Sequence, residues 1–278
     1  MTTWMITGCS TGLGKSLAQA VLDAGFNAVV TARDIRTVEE LVSAYPDTAV
    51  GVALDVTYKS QRENAIKLAH ERFGSVDVLV NNAGYGYRAA VEEGSDKEVG
   101  DLFATNFFGT VEMIKAVLPD MRARRSGTIL NVSSIAGRMS APGSGYYSAT
   151  KFAVEGMSDA LRKEVAPLGI RVTVVEPGFF RTDFSGRSLH HASAHIVDYA
   201  STVGPRRKEN DKTHGTQLGD PDKAAHALIE FVRGSALPAR LLLGSDAVKF
   251  VTDELEAQRR EIDEWKNVSA STDFPVNV

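Results

Sequence analysis

The stretch Thr7-Gly8-Cys9-Ser10-Thr11-Gly12-Leu13-Gly14 follows the short run Thr3-Trp4-Met5-Ile6 and leads into the apolar series Leu17, Ala18, Ala20, Val21 and Leu22. An extended run, a glycine-rich turn and a segment of helical period, in that order, read as one strand-turn-helix unit. Glycines let such a turn close tightly and approach a charged group. The amides at a helix N-terminus then meet a pyrophosphate without help from a side chain. Taken alone, the loop also fits a plain strand-to-helix connection, so the fold rests on what surrounds it.

Outward from the loop, short β-branched runs alternate with longer stretches of helical period. Strands are predicted at 3–7, 27–31, 49–54, 76–80, 127–132, 170–175 and 240–243, and helices at 13–24, 35–44, 58–72, 96–123, 145–166, 221–233 and 246–265. Ala28-Val29-Val30, Val78-Leu79-Val80 and Val172-Thr173-Val174-Val175 are nearly unbroken apolar or β-branched runs, as strands covered on both faces require. The alternation predicts an α/β fold: a doubly wound, Rossmann-like parallel sheet of seven strands with helices on both faces, in one domain over residues 1–278. Residues 183–220 break the rhythm with Gly186, Gly204, Pro205, Gly215, Gly219 and the charged run Arg206–Asp211, and read as a substrate lid. Residues 269–278 read as a polar tail on the surface or against a neighbouring subunit.

Composition narrows the function classes. Hydrophobic residues make up 43% of the 278, charged residues 24% and aromatics 8%, which excludes collagen-like, wholly coiled-coil and disordered chains. With 31 Lys and Arg against 35 Asp and Glu the net charge is −4, so there is no cationic field for nucleic acid. Arg122, Arg124 and Arg125 sit at a helix end, where they complement its dipole. No apolar run approaches the roughly 18 residues that span a bilayer, so no membrane association is expected. The lone Cys9 cannot form an intramolecular disulfide and reads as a small packed residue. With no targeting segment at the N-terminus, the expected location is cytoplasmic. His190, His191 and His195 lack an acid or Cys at ligand spacing, so no metal is expected.

Tyr147 and Lys151 lie four apart on a predicted helix, and at about 100° per residue they share one face, one turn apart. Tyr146 is turned away from Lys151, which selects Tyr147 of the two. A phenol with an ordinary pKa of about 10 is a poor proton relay at neutral pH, and a neighbouring ammonium favours its ionised form. The pair can then give a proton to a carbonyl oxygen or take one from an alcohol. Ser134 ends the fifth predicted strand, and by strand alternation Ser133 faces the other way.

Five motifs occur in order: the loop at 7–14 in the form TGxxxGxG, Asp55-Val56, Asn81-Asn82-Ala83-Gly84, Ser134 followed by Tyr147-x-x-x-Lys151, and Pro177-Gly178. Over roughly residues 3–183 this set resembles the short-chain dehydrogenase/reductase family. The resemblance implies a nicotinamide dinucleotide held by Gly8, Ser10, Thr11, Gly12, Leu13 and Gly14. Asp55 would receive the adenine amino group, Val56 would flank the ring, and Asn82, Ala83 and Gly84 would pack under the cofactor. The residues alone also allow Asp55 to be a helix N-cap. The resemblance further implies a tetrad of Asn106, Ser134, Tyr147 and Lys151. In it Ser134 bonds the substrate oxygen, Tyr147 relays the proton, and Lys151 tunes Tyr147 and grips the nicotinamide ribose. Asn106 kinks its helix and holds a water. Thr182, beyond Pro177 and Gly178, would hold the carboxamide.

At the end of the second strand, Val30-Thr31-Ala32-Arg33-Asp34, the acid that would read the ribose hydroxyls is missing, and Arg33 offers a planar fork to a 2'-phosphate. NADP(H) is therefore expected ahead of NAD(H), unless Arg33 pairs with Asp34 or faces solvent. The expected reaction interconverts a carbonyl and a secondary alcohol. Phe179, Phe180, Phe184, Leu189 and Tyr199 near the lid suggest an apolar or cyclic small-molecule substrate. Relatives of this kind associate through the two long helices, so a homodimer or homotetramer is expected. The alternatives are a non-catalytic nucleotide-sensing regulator, which needs no Tyr and Lys, and an extended-branch epimerase or dehydratase, which has another glycine spacing.

Overall fold

In the computed structural model, which describes residues 1–213 and 215–274, the strands are β1 (Thr3–Ile6), β2 (Asn27–Ala32), β3 (Ala49–Ala53), β4 (Val78–Asn81), β5 (Gly86–Arg88), β6 (Gly127–Val132), β7 (Ile170–Pro177), β8 (Leu189–His191) and β9 (Arg240–Leu243). Seven of them form one sheet in the order β3-β2-β1-β4-β6-β7-β9, every pairing parallel, while β5 and β8 pair separately. All seven predicted strands are present and the doubly wound sheet is as expected. Successive pairings step outward from β1 to β3, then resume on the other side of β1 with β4. The sheet therefore reverses between β1 and β4, and the crevice beyond their carboxyl ends is where such folds bind ligands.

The helices are α1 (Gly12–Asp23), α2 (Glu39–Ala44), α3 (Lys59–Phe73), α4 (Asp96–Phe103), α5 (Gly109–Arg124), α6 (Gly145–Val165), α7 (Gly204–Thr213), α8 (Pro221–Arg233) and α9 (Ser245–Ala270). Strand alternation divides the core in two. Trp4, Ile6, Val30 and Val80 pack with Leu17, Val21 and Leu228 of α1 and α8. Met5, Val29, Leu79 and Ile129 face the other way, against Ala65, Met113, Val117 and Leu161 of α3, α5 and α6. Local signals set the ends: Asp220 accepts from the amides of Asp222 and Lys223 ahead of Pro221, and Gly74 closes α3 at φ 85°. No helix among the described residues is long and apolar enough to cross a membrane.

Three expectations are corrected. The predicted helix 96–123 is two helices, because a π-helical turn at Ala104–Phe108 inserts between α4 and α5. Asn106 is the buried residue of that turn, and its side chain bonds the backbone of Tyr85 instead of lying along a regular helix face. Residues 183–220 are not irregular: they include β8, short 3-10 turns and α7, and His214 lies outside the described residues. Pairing with β5 orders β8, a partner that no local period announces. The last helix runs to Ala270, past the predicted end at 265, so the segment read as a tail begins inside it; 275–278 lie outside the described residues.

Candidate active site

At the crevice the glycine loop is built by close backbone approach. Gly8 and Gly12 have φ of 74° and 60°, the left-handed region that side chains disfavour. A Cβ at Gly14 would overlap the Gly8 carbonyl and Asn82 Nδ2. Asn82 ties the loop to β4: its Nδ2 donates to the carbonyls of Thr7 (2.9 Å) and Gly8 (3.0 Å), while the amides of Asn82 and Ala83 both donate to Thr7 Oγ1 at 2.9 Å. Asn82 and Ala83 thus shape the loop from beneath. Ser10, Thr11 and Leu13 are half-buried around it, and Leu13 packs on the core. Thr11 precedes α1 without a capping hydrogen bond and the first turn holds no acid, so the positive helix end faces the crevice. Cys9 is buried, its Sγ donating to the Ile6 carbonyl, and burial pushes its thiol up to about 12.

On the other side of the crevice, α6 presents Tyr147 and Lys151, both buried. Lys151 Nζ donates to the Val132 carbonyl at 2.9 Å. Gly84 lies beside it: a Cβ there would stand 3.1 Å from Asn106 Oδ1 and 3.8 Å from Lys151 Nζ. Asn106 Oδ1 accepts from the Tyr85 amide at 3.0 Å and Nδ2 donates to the Tyr85 carbonyl at 2.9 Å. Ser134 is half-buried, whereas Ser133 is buried, as alternation predicts. Tyr146 donates to the Val91 carbonyl, away from the pair. The structure therefore brings Gly84, Asn106, Ser134, Tyr147 and Lys151 together.

The electrostatics run against the sequence expectation. Burial pushes the Tyr147 phenol up to about 12, with the Ser134 hydrogen bond and the Arg88 charge pulling the other way. Burial likewise pushes Lys151 down to about 8, opposed by the Glu155 carboxylate. In this crevice desolvation outweighs the Ser134 hydrogen bond and the Arg88 charge, and it holds the phenol protonated.

At the far end, Arg33 is exposed and makes no hydrogen bond or ion pair among the described residues. Its neighbour Asp34 is held by Arg36 at 2.6 Å, so the pairing of Arg33 with Asp34 does not form. Asp55 is not a helix cap: α3 begins after Tyr58, and Asp55 Oδ1 accepts from the amide and hydroxyl of Thr57. Val56 is buried against Gly109 of α5, where a Cβ would overlap it. Pro177 ends β7, and Gly178 lies so close to Asp246 that a Cβ would overlap the carboxylate. Thr182 lies over Gly12, 3.3 Å from a Cβ placed there. Its amide donates to the Phe180 carbonyl and its hydroxyl accepts from the Phe184 amide, leaving the hydroxyl proton as the donor.

The aromatic residues of the lid separate. Phe184 lies 5.8 Å from Tyr147, ring centre to ring centre, and Leu189 packs over Gly86 beside it. Phe180 joins the core, Phe179 packs on Phe250, and Tyr199 donates to Glu92. Three residues escape sequence reading. Arg88 of β5 bonds Ser144 and acts on Tyr147 through its charge. Asp246 accepts from the Phe179 amide at 2.7 Å and fixes the loop after β7. Glu93, buried, accepts from Arg207 of α7 and from the Ile196 amide, tying the 183–220 segment to the body. The one sequence signal was Asp246 at the start of a helix.

Residues 2–193 match the profile of the short chain dehydrogenase family. Oxidoreductase BOA17 of Botryotinia fuckeliana is 40% identical over 273 residues, 97% of this chain and 98% of that protein. A crystal structure of a short-chain dehydrogenase from Streptomyces avermitilis superposes with a TM-score of 0.91 at 42% identity, covering 98% of this chain and 100% of that one. An alcohol dehydrogenase from the archaeon Thermococcus sibiricus, complexed with 5-hydroxy-NADP, gives a TM-score of 0.72 at 26% identity over 87% of this chain and 96% of that one. Fold and relatives together define an oxidoreductase of the nicotinamide-dependent class. The chain belongs to the short-chain dehydrogenase/reductase family.

Proposed function

We propose that this protein interconverts a carbonyl and a secondary alcohol with NADP(H), on an apolar or cyclic small molecule. The observation that carries the reading is the convergence of Ser134, Tyr147 and Lys151 beside the glycine loop, with Phe184 against the Tyr147 ring. The crevice suits a dinucleotide. Gly8, Ser10, Thr11, Gly12, Leu13 and Gly14 with the uncapped amides of α1 would hold the pyrophosphate, and Arg33 would take the 2'-phosphate. Asp55 and Val56 would hold the adenine, Asn82, Ala83 and Gly84 would support the cofactor from below, and Pro177, Gly178 and Thr182 would bound the nicotinamide.

When bound, the nicotinamide exchanges a hydride with the substrate carbon. The chain's own residues manage the accompanying proton. Ser134 orients the substrate oxygen, and Tyr147, held protonated by burial, gives that oxygen its proton in reduction and takes it back in oxidation. Lys151 places positive charge behind the phenol and would hold the ribose of the bound dinucleotide, and Asn106 steadies the turn at Tyr85 beside it. Phe184 and Leu189 would give the substrate an apolar wall beside Tyr147.

We further read residues 1–278 as one domain with 183–220 as its lid, acting in the cytoplasm as a homo-oligomer. Following NADPH absorbance across a panel of carbonyls of graded size and polarity tests the function. Turnover is expected for apolar ketones and is expected to fall sharply in Tyr147→Phe. Cofactor binding without turnover on any carbonyl or alcohol would instead favour a nucleotide-sensing role.

A further inference from the structure

Past Val251, α9 leaves the body of the protein. Ala247 and Val251 are buried, and from residue 255 to residue 274 every residue is exposed. The projecting part, 255–270, is about 24 Å long at about 1.5 Å per residue. A helix of this length gains little from backbone hydrogen bonding alone, and side-chain packing is what ordinarily holds one. It nevertheless carries Leu255, Ile262 and Trp265, exposed by 48%, 66% and 55%.

Their spacing is specific. Leu255, Gln258, Ile262, Trp265 and Ser269 follow one another in alternating steps of three and four, the a and d positions of a heptad, and Val248 and Val251 carry the same register back into the body. The flanking charges are sorted. Glu254 and Glu261 precede the a positions, and Arg259 and Lys266 follow the d positions. In a parallel, in-register pair, each such Glu faces the basic residue five positions later in the other helix. Glu254 would meet the partner subunit's Arg259, and Glu261 the partner subunit's Lys266. An antiparallel pair would instead set Glu against Glu and base against base. Among the described residues these groups make exposed contacts within one chain, Glu254 accepting from Gln258 at 2.8 Å, Arg259 with Asp263 at 3.4 Å and Lys266 with Asp263 at 3.9 Å, which leave them able to pair elsewhere. Between 253 and 274 seven acidic side chains outnumber three basic ones, which argues against an anionic membrane surface as the occupant.

We propose that α9 pairs with α9 of a second copy as a parallel two-stranded coiled coil, seamed by Leu255, Ile262 and Trp265 and registered by the Glu-to-base pairs. This contact is separate from the crevice and does not depend on the reaction carried out there.

Cross-linking of the full-length chain tests it. Cys9 is buried, so an introduced surface thiol is the one that reacts. Leu255→Cys and Ile262→Cys each place a thiol on the seam, and Arg260→Cys places one on the outer face. Under mild oxidation with diamide at micromolar protein, both seam variants should form disulfide-linked dimers on the order of 10²-fold faster than the outer-face control, because a paired helix holds the thiols at about millimolar effective concentration. In the Ile262→Cys background, Glu261→Lys should slow cross-linking, and adding Lys266→Glu should restore it. Equal rates for seam and outer-face variants would overturn the proposal and leave the stripe to another protein. Rapid cross-linking at only one of 255 and 262, or no rescue by the charge swap, would overturn the parallel register.

Discussion

Lys151 lies one helical turn beyond Tyr147, with its Nζ 5.7 Å from the centre of the phenol ring. Burial acts on the two in the same sense, toward neutrality, raising the phenol to about 12 and lowering the amine to about 8. A protonated phenol is the form that donates, so the crevice by itself is set for carbonyl reduction. Removing the hydroxyl while keeping the ring should therefore separate chemistry from binding. Tyr147→Phe is expected to lower turnover by on the order of 10² to 10⁴ while dinucleotide affinity stays nearly unchanged. Steady-state kinetics and a fluorescence titration of the dinucleotide read the two effects.

The same two values set the pH dependence. The phenol stays protonated throughout the working range, whereas Lys151 loses its positive charge as pH rises through about 8. For the reductive reaction, kcat/KM should hold below that pH and fall above it, and Lys151→Met should lower the rate and abolish the step. A basic limb near 12 instead would place the decisive titration on Tyr147 alone.

Arg33 is exposed and makes no ion pair among the described residues, and its neighbour Asp34 is held by Arg36. A charge-assisted contact of about 1.5–3 kcal/mol with a 2'-phosphate should favour NADP(H) over NAD(H) by on the order of 10- to 100-fold in kcat/KM. The ratio should shrink with added salt, and Ala32→Asp with Arg33→Ile should reverse it. Equal or better use of NAD(H) by the unaltered protein would remove Arg33 from the site.

Asn82 bonds the Thr7 and Gly8 carbonyls from beneath the glycine loop. Asn82→Ala leaves both acceptors without that donor, and should cost about 1–3 kcal/mol of stability in urea unfolding and weaken dinucleotide binding together. Full stability with weakened binding would mean that Asn82 acts on the ligand directly.

Burial pushes the Glu93 carboxyl up, but Arg207 and the amides of Ile196 and Ala90 outweigh it and hold it down at about 2. A carboxyl depressed from its ordinary 4.5 stabilises the contact above that value and loses it as pH falls toward 2. Protection of the 183–220 backbone from hydrogen exchange, relative to the intrinsic rate at each pH, should therefore fall between about pH 4.5 and 2, and Glu93→Gln should produce the same release at neutral pH. A segment equally protected in that variant would owe its order to β5 and β8 instead.

Much of the architecture is legible locally. The runs at Ala28–Val30 and Val78–Val80 and the turn at 7–14 announce strands and a loop because side-chain period and glycine geometry act over a few residues. Tyr147 and Lys151 pair for the same reason, one turn apart on α6. The residues alone hid the π-helical turn at Asn106, where only the family resemblance implied a kink, because it depends on bonds to Tyr85 rather than on a period. The apolar residues of the long helices could not be divided either. In the structure Met113 and Val154 face the core, while Phe108 and Phe152 are exposed by 57% and 46%.

The sequence by itself determined the order of strands and helices, the glycine loop at the first turn and the spacing of the Tyr and Lys, since each is set by contacts between near neighbours in the chain. Tertiary structure alone decided that the Arg88 charge acts on Tyr147, that Asp246 steadies the loop after β7, and that Arg207 meets Glu93 across 114 positions. It also decided the protonation of Tyr147. How much water a phenol loses depends on everything packed around it, and the backbone path through space, not the interval along the chain, selects those neighbours.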